Sequence, residues 1–134
     1  MTRTNISREA LDATRQVLEK YPAVDAAYVL GSGAMGRLRP DSDIDIALLP
    51  KRGEMFTVME RLALSTELGK LFGRQVDLGI LTSANLVYAK EAVAHGRLIF
   101  ERDHGVTARF AMLTLSMYAA LQEARREVLS AYAA

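Results

Sequence analysis

The sequence predicts an α/β (α+β) fold: a small mixed β-sheet flanked by helices, with a long helix closing the chain. Three observations predict it. Short apolar runs of strand length alternate with longer stretches of helical periodicity. Each short run lies next to a glycine or a proline. The last stretch, from about Val106 to Tyr132, repeats apolar residues at helical spacing with no breaker inside it.

Taken in order, Ser7 reads as an N-cap with Glu9 in the first turn of a helix. Ala10, Leu11, Thr14, Val17 and Leu18 share its apolar stripe, and Pro22 ends it by disfavouring helix at Tyr21. Ala26 to Leu30 reads as a buried strand, followed by the turn Gly31-Ser32-Gly33-Ala34-Met35-Gly36, with a short helix expected to open at Ala34. Arg39-Pro40-Asp41 is a second turn signal. Asp43 to Leu49 is the next strand, closed by Pro50. A helix follows from about Met55 to Phe72, with Met55, Met59, Leu62, Leu68, Leu71 and Phe72 as its apolar positions and Gly73 beyond its C-terminus. Gln75 to Leu81 is a third strand. Ser83 caps a helix running through Ala94, Gly96 ends it, and Leu98-Ile99-Phe100 reads as an edge strand. On the terminal helix, Val106, Phe110, Leu113, Met117, Leu121 and Val128 form a stripe expected to pack on the core. Met112, Leu115, Tyr118 and Tyr132 lie partly off it, and the helix is expected to contribute to partner contact.

The length of 134 residues fits one domain over 1–134, with a core at about 24–100 and the terminal helix at about 105–132. Half of the residues are hydrophobic, which suits a packed core. A net charge of +1 carries no electrostatic footprint for nucleic acid, so no direct nucleic-acid partner is expected. Cysteine is absent, which excludes disulfides and thiolate metal sites. The N-terminal residues lack the apolar run of a leader, and no stretch reaches membrane-spanning length. A cytoplasmic protein that meets no membrane is therefore expected.

The chemistry lies between Leu30 and Ile46. In an extended strand, Asp43, Asp45 and Ala47 share one face, while Ile44, Ile46 and Leu48 share the other. Two strand rises put the two aspartate α-carbons roughly 6.5 Å apart. Adjacent like charges at the start of an apolar strand repel, and a divalent cation offsets that repulsion. With oxygen donors and no Cys or nearby His, Mg2+ or Mn2+ suits the pair better than zinc. Asp77 repeats the pattern as a lone acid inside Val76-Asp77-Leu78-Gly79-Ile80. On a neighbouring strand it would complete a three-carboxylate, two-metal phosphoryl-transfer site. Gly31 and Ser32 supply close backbone approach, turn N–H groups and a hydroxyl for phosphate, and Ser42 offers a second hydroxyl. Taken singly, a Gly-Ser-Gly after a strand is usually only a turn, and Asp77 could be a structural acid. His95 and His104 are isolated and read as solvent-exposed. Arg125-Arg126 beside Glu123 and Glu127 reads as a solvated helical face.

Taken together, Gly31-Ser32-Gly33-Ala34-Met35-Gly36, a five-residue gap and Ser42-Asp43-Ile44-Asp45 resemble the signature of the polymerase-beta-like nucleotidyltransferase superfamily. Asp77 resembles that family's third acid, and the resemblance spans about Tyr28 to Phe100. Met35 departs from it, standing where Arg or Lys is usual; Arg37 and Arg39 are the neighbouring cations. The short chain resembles the minimal nucleotidyltransferase antitoxins that pair with HEPN ribonuclease toxins. The resemblance implies ATP as substrate, Mg2+ held by Asp43, Asp45 and Asp77, nucleotide contacts at Gly31, Ser32 and Ser42, and a HEPN-type toxin as partner. It also implies that AMP is transferred from ATP to a tyrosine of that toxin, which silences it. Two alternatives stay open: a small-molecule nucleotidyltransferase of the aminoglycoside-modifying kind, and a non-catalytic antitoxin that masks its partner by binding.

Overall fold

The computed structural model describes residues 6–39 and 41–133. The expectation of no leader at the N-terminus and the Pro40 of the second turn concern residues outside that range. The elements are α1 (Arg8–Glu19), β1 (Val24–Leu30), α2 (Gly31–Ala34), β2 (Ile44–Pro50), α3 (Val58–Phe72), β3 (Val76–Ile80), α4 (Leu86–His95), β4 (Arg97–Glu101) and α5 (His104–Ala133).

The sheet has the order β3-β2-β1-β4. Strand β1 runs antiparallel to both β2 and β4, and β2 runs parallel to β3, so the sheet is mixed as expected. The parallel pair needs a crossover, and α3 supplies it. One face buries Val29, Ile44, Ile46, Leu48 and Val76 under α1 and α3. The opposite face buries Tyr28, Leu30, Ala47 and Leu49 under Ala89 and Ala92 of α4, with Phe110 of α5 packed against them. The period of two in β2 sends Ile44, Ile46 and Leu48 to one layer and Ala47 and Leu49 to the other.

Side chains from distant elements tie the frame together. Ser7 caps α1, its oxygen accepting from the Ala10 N–H at 3.1 Å. Arg102 lies past β4 and donates to the carbonyls of Leu18 (2.9 Å), Glu19 (3.1 Å), Tyr21 (2.8 Å) and Val24 (2.7 Å). It thereby ties β4 to the end of α1 and the start of β1, adding to the backbone bonds that Leu18 O and Tyr21 O already accept from Tyr21 N–H and Val24 N–H. Helix side chains also reach the backbone of both edge strands. On β3, Arg61 donates to Leu78 O and Ser65 to Val76 O. On β4, Arg15 Nε donates to Ile99 O at 2.8 Å, where the register against β1 skips one residue.

Several expectations are corrected. The short helix α2 opens at Gly31, three residues before Ala34. Helix α3 opens at Val58, because Thr57 and Glu60 form a reciprocal capping box. Asn85, three residues before Tyr88, caps α4 in place of Ser83. The buried side of α3 is Leu64 and Leu68, while Met55, Met59, Leu62 and Leu71 are exposed. On α5 the inward face runs through Thr107, Phe110, Ala111, Thr114, Tyr118 and Leu121; of the expected stripe, Val106, Leu113, Met117 and Val128 face solvent. Among the described residues no helix is long and apolar enough to cross a membrane.

Candidate active site

Strand pairing assembles the site at one end of the sheet. Leu30, the last residue of β1, lies opposite Asp45. The Gly31-Ser32 turn therefore begins one residue beyond a direct neighbour of that carboxylate. Asp45 lies in register with Asp77 on the parallel strand β3, at the roughly 4.8 Å spacing of adjacent strands. Asp43 immediately precedes β2. Thus Gly31, Ser32, Ser42, Asp43, Asp45 and Asp77, separate in sequence, meet at one end of the sheet.

Local structure explains each placement. Gly31 has φ 61°, a left-handed conformation in which a side chain is strained. At Gly33 a β-carbon would sit 2.6 Å from Val29 Cγ1, so only glycine lets the turn lie this close to the sheet. Ser32, between them, is exposed. The turn before Asp43 is closed by Ser42, whose N–H donates to Arg39 O at 3.1 Å and whose Oγ accepts from the Arg39 N–H at 3.3 Å. Arg74 clamps this turn by donating to Arg39 O at 2.7 Å and to Ser42 O at 3.0 Å. Its guanidinium thus holds the approach to Asp43 against the start of β3.

All three aspartates are exposed, which suits ligands for an incoming ion. Partial burial raises the Asp45 carboxyl above its ordinary range, and the negative charges of Asp77 and Asp43 raise it further. The crowding is electrostatic: three acids with no cationic side chain in an ion pair with them among the described residues. Gln75 Nε2 donates to Asp77 Oδ1 at 3.1 Å. Among the described residues no three Asp, Glu or His side chains stand ready-made around one cation position. The donors are nonetheless hard oxygens in mutual repulsion, and they fit a divalent cation of the magnesium class.

Two residues that the sequence reading missed border the site. Tyr88 reaches from α4 across Gly79, where any β-carbon would collide with its hydroxyl. Burial raises the Tyr88 phenol, the Asp45 charge adds to this, and Arg61 partly offsets it. The phenol therefore stays protonated, a donor near Asp45. The available signal was Gly79, since a glycine inside a strand often marks a close approach. Arg61 is the second, anchored on Leu78 O; nothing in its local sequence signals that. Met35 is exposed at the end of α2. His104 is exposed and pairs with Glu101 at 3.0 Å, away from the aspartates in sequence and in fold.

The family model of the polymerase beta nucleotidyltransferases matches residues 13–105, which span the turn and all three aspartates. The chain belongs to that nucleotidyltransferase family. Within it, the chain is 30% identical over 113 residues to the protein adenylyltransferase MntA of Shewanella oneidensis, covering 83% of this chain and 78% of that protein. It is also similar to a chain of a toxin–antitoxin crystal structure with AMP-PNP: TM-score 0.73, 28% identity, 96% of this chain and all of that one. A third similarity is to a chain in the structure of a tri-AMPylated Shewanella oneidensis HEPN toxin in complex with an MNT antitoxin. There the TM-score is 0.69 and the identity 26%, over 93% of this chain and 97% of the other.

Proposed function

We propose that this nucleotidyltransferase is an antitoxin that transfers AMP from ATP to a tyrosine hydroxyl of a partner HEPN-type toxin and so neutralises it. The observation that carries the reading is the meeting of the Gly31-Ser32 turn with Asp43, Asp45 and Asp77 at one end of the sheet. The adenylyltransferase relative and the tri-AMPylated toxin complex support the choice of acceptor.

Asp43, Asp45 and Asp77 would hold Mg2+, with Mn2+ as a substitute. When bound, the ion neutralises charge on the triphosphate. The chain's own groups do the rest. Backbone N–H groups at Gly31 and Ser32, with the Ser32 hydroxyl, take phosphate oxygens. The Ser42 Oγ accepts from Arg39 and still has its proton to donate. Asp77 accepts the proton of the incoming tyrosine hydroxyl as that oxygen attacks the α-phosphorus. The bond from the α-phosphorus to its bridging oxygen breaks, and pyrophosphate leaves. Positioning and charge neutralisation supply most of the acceleration.

The test is the intact mass of a HEPN-type partner co-expressed with the chain. The expected result is a gain of whole adenylyl groups that depends on ATP and Mg2+. Asp43→Ala and Asp77→Ala should each abolish the gain while the circular dichroism spectrum stays unchanged. A partner silenced with no added mass would instead support masking by binding, and full transfer by either variant would overturn the assigned roles.

A further inference from the structure

Asp77 also forms part of a groove that the transfer step does not use. The groove lies between α3 and β3, has a volume of about 450 Å3, and is open to solvent. Besides Asp77, its walls are Val58, Arg61, Leu62, Ser65, Val76 and Leu78. The apolar wall continues outward over α3, where Val58 is 82% exposed, Met59 73% and Leu62 59%. Contiguous exposed apolar surface of this kind marks interaction sites.

The structure narrows what fits. A strand added to the β3 edge would need the outward carbonyls of Val76 and Leu78, and these already accept from Ser65 and Arg61. The occupant therefore docks by side chains, not by extending the sheet. The groove shares Asp77 with the transfer site, so the two adjoin at the edge strand β3. We infer that the α3–β3 groove is the docking groove for the acceptor protein. It takes an apolar side chain of the segment that carries the modified tyrosine, and so delivers the hydroxyl to Asp77. This rests on the transferase reading above and adds the surface that selects the acceptor.

Leu62→Arg and Val58→Glu test it, because both side chains are exposed and neither is among the residues assigned to the nucleotide or the metal. With the full chain and a HEPN-type partner, the partner concentration that half-saturates transfer should rise about tenfold or more, as expected when an interface anchor is lost. Binding of AMP-PNP should stay within about twofold, well under the tenfold that 1.4 kcal/mol represents. Leu62→Met should behave as the unsubstituted chain. Unchanged partner dependence in both charged variants would overturn the inference. So would equal losses of AMP-PNP binding and transfer, which would place the groove on the nucleotide side. A dimer of the unsubstituted chain in sedimentation that Leu62→Arg dissolves would also overturn it, assigning the face to a second copy. Failure of the unsubstituted chain to modify the partner would overturn the transferase reading itself. In that case direct partner affinity, compared between Leu62→Arg and the unsubstituted chain, decides the groove separately.

Discussion

Asp45 lies between two other acids, and its carboxyl is raised by burial and by both neighbours. Folding thus favours its protonated form. The opposing term is absent below the ordinary carboxylate range and fully present above the raised value, so stability declines as pH rises through that window. Asp45→Asn removes the repulsion. Without divalent cation near neutral pH, it should raise the melting temperature by about 1–2 °C, a small effect because exposed charges are screened. The gain should vanish at pH values below the carboxylate range. Added Mg2+ should stabilise the unsubstituted protein more than the variant; equal stabilisation would count against Asp45 as a ligand. Gly79 allows a second test at this scale. Gly79→Ala drives a methyl into the Tyr88 hydroxyl, and overpacking of this kind costs about 1–3 kcal/mol. In a Tyr88→Ala background the same substitution should cost almost nothing, and urea melts of the double-mutant cycle read the difference. What the sequence made legible here was the side-chain alternation of Asp43, Asp45 and Asp77, because a period of two needs no partner to be read. The Tyr88–Gly79 contact stayed hidden because its partners come from different elements.

Among the elements, α1 depends on a residue from the far end of the sheet. Arg102 reaches four backbone carbonyls at the end of α1 and the start of β1. Arg102→Ala should cost about 1–3 kcal/mol in urea unfolding, the scale of losing hydrogen bonds from a charged donor. Arg102→Lys should recover only part of it, because an ammonium lacks the planar fork. A loss below a few tenths would show that water replaces the clamp. Helix identity was legible throughout, but helix orientation was not. In α3, apolar residues occupy several sides, from Val58 and Met59 to Leu62, Leu64, Leu68 and Leu71, so periodicity alone does not choose the buried face. In α5 two threonines, Thr107 and Thr114, occupy the inward face and sit among the buried residues. A reading based on apolar spacing passes over them. The strands were easier, because Gly31, Pro50 and Gly73 bound them.

For the whole molecule, α5 has 30 residues, about 45 Å at the helical rise. Its inward contacts end near Leu121 and Gln122; every described residue from Glu123 onward is exposed. The distal turns therefore add helix without adding core. Deleting residues 125–134 should leave the melting temperature within about 2 °C, consistent with the small effect of changing exposed positions. A larger drop would show that these turns support the body. Proton exchange should grade along the same helix, with protection falling steadily after Leu121. The architecture was legible because strands and helices alternate and the chain ends in an uninterrupted helix. The order β3-β2-β1-β4 was not, since strand neighbours are set by pairing between segments distant in the chain.

The two edges of the sheet have a further consequence. A four-stranded sheet normally presents two rows of unsatisfied backbone groups, templates for aggregation. Here a helix-borne arginine occupies part of each row, Arg61 at Leu78 O of β3 and Arg15 at Ile99 O of β4. The exposed methionines and leucines of α3 and α5 thus lie on a body whose sheet edges are partly closed to a further strand.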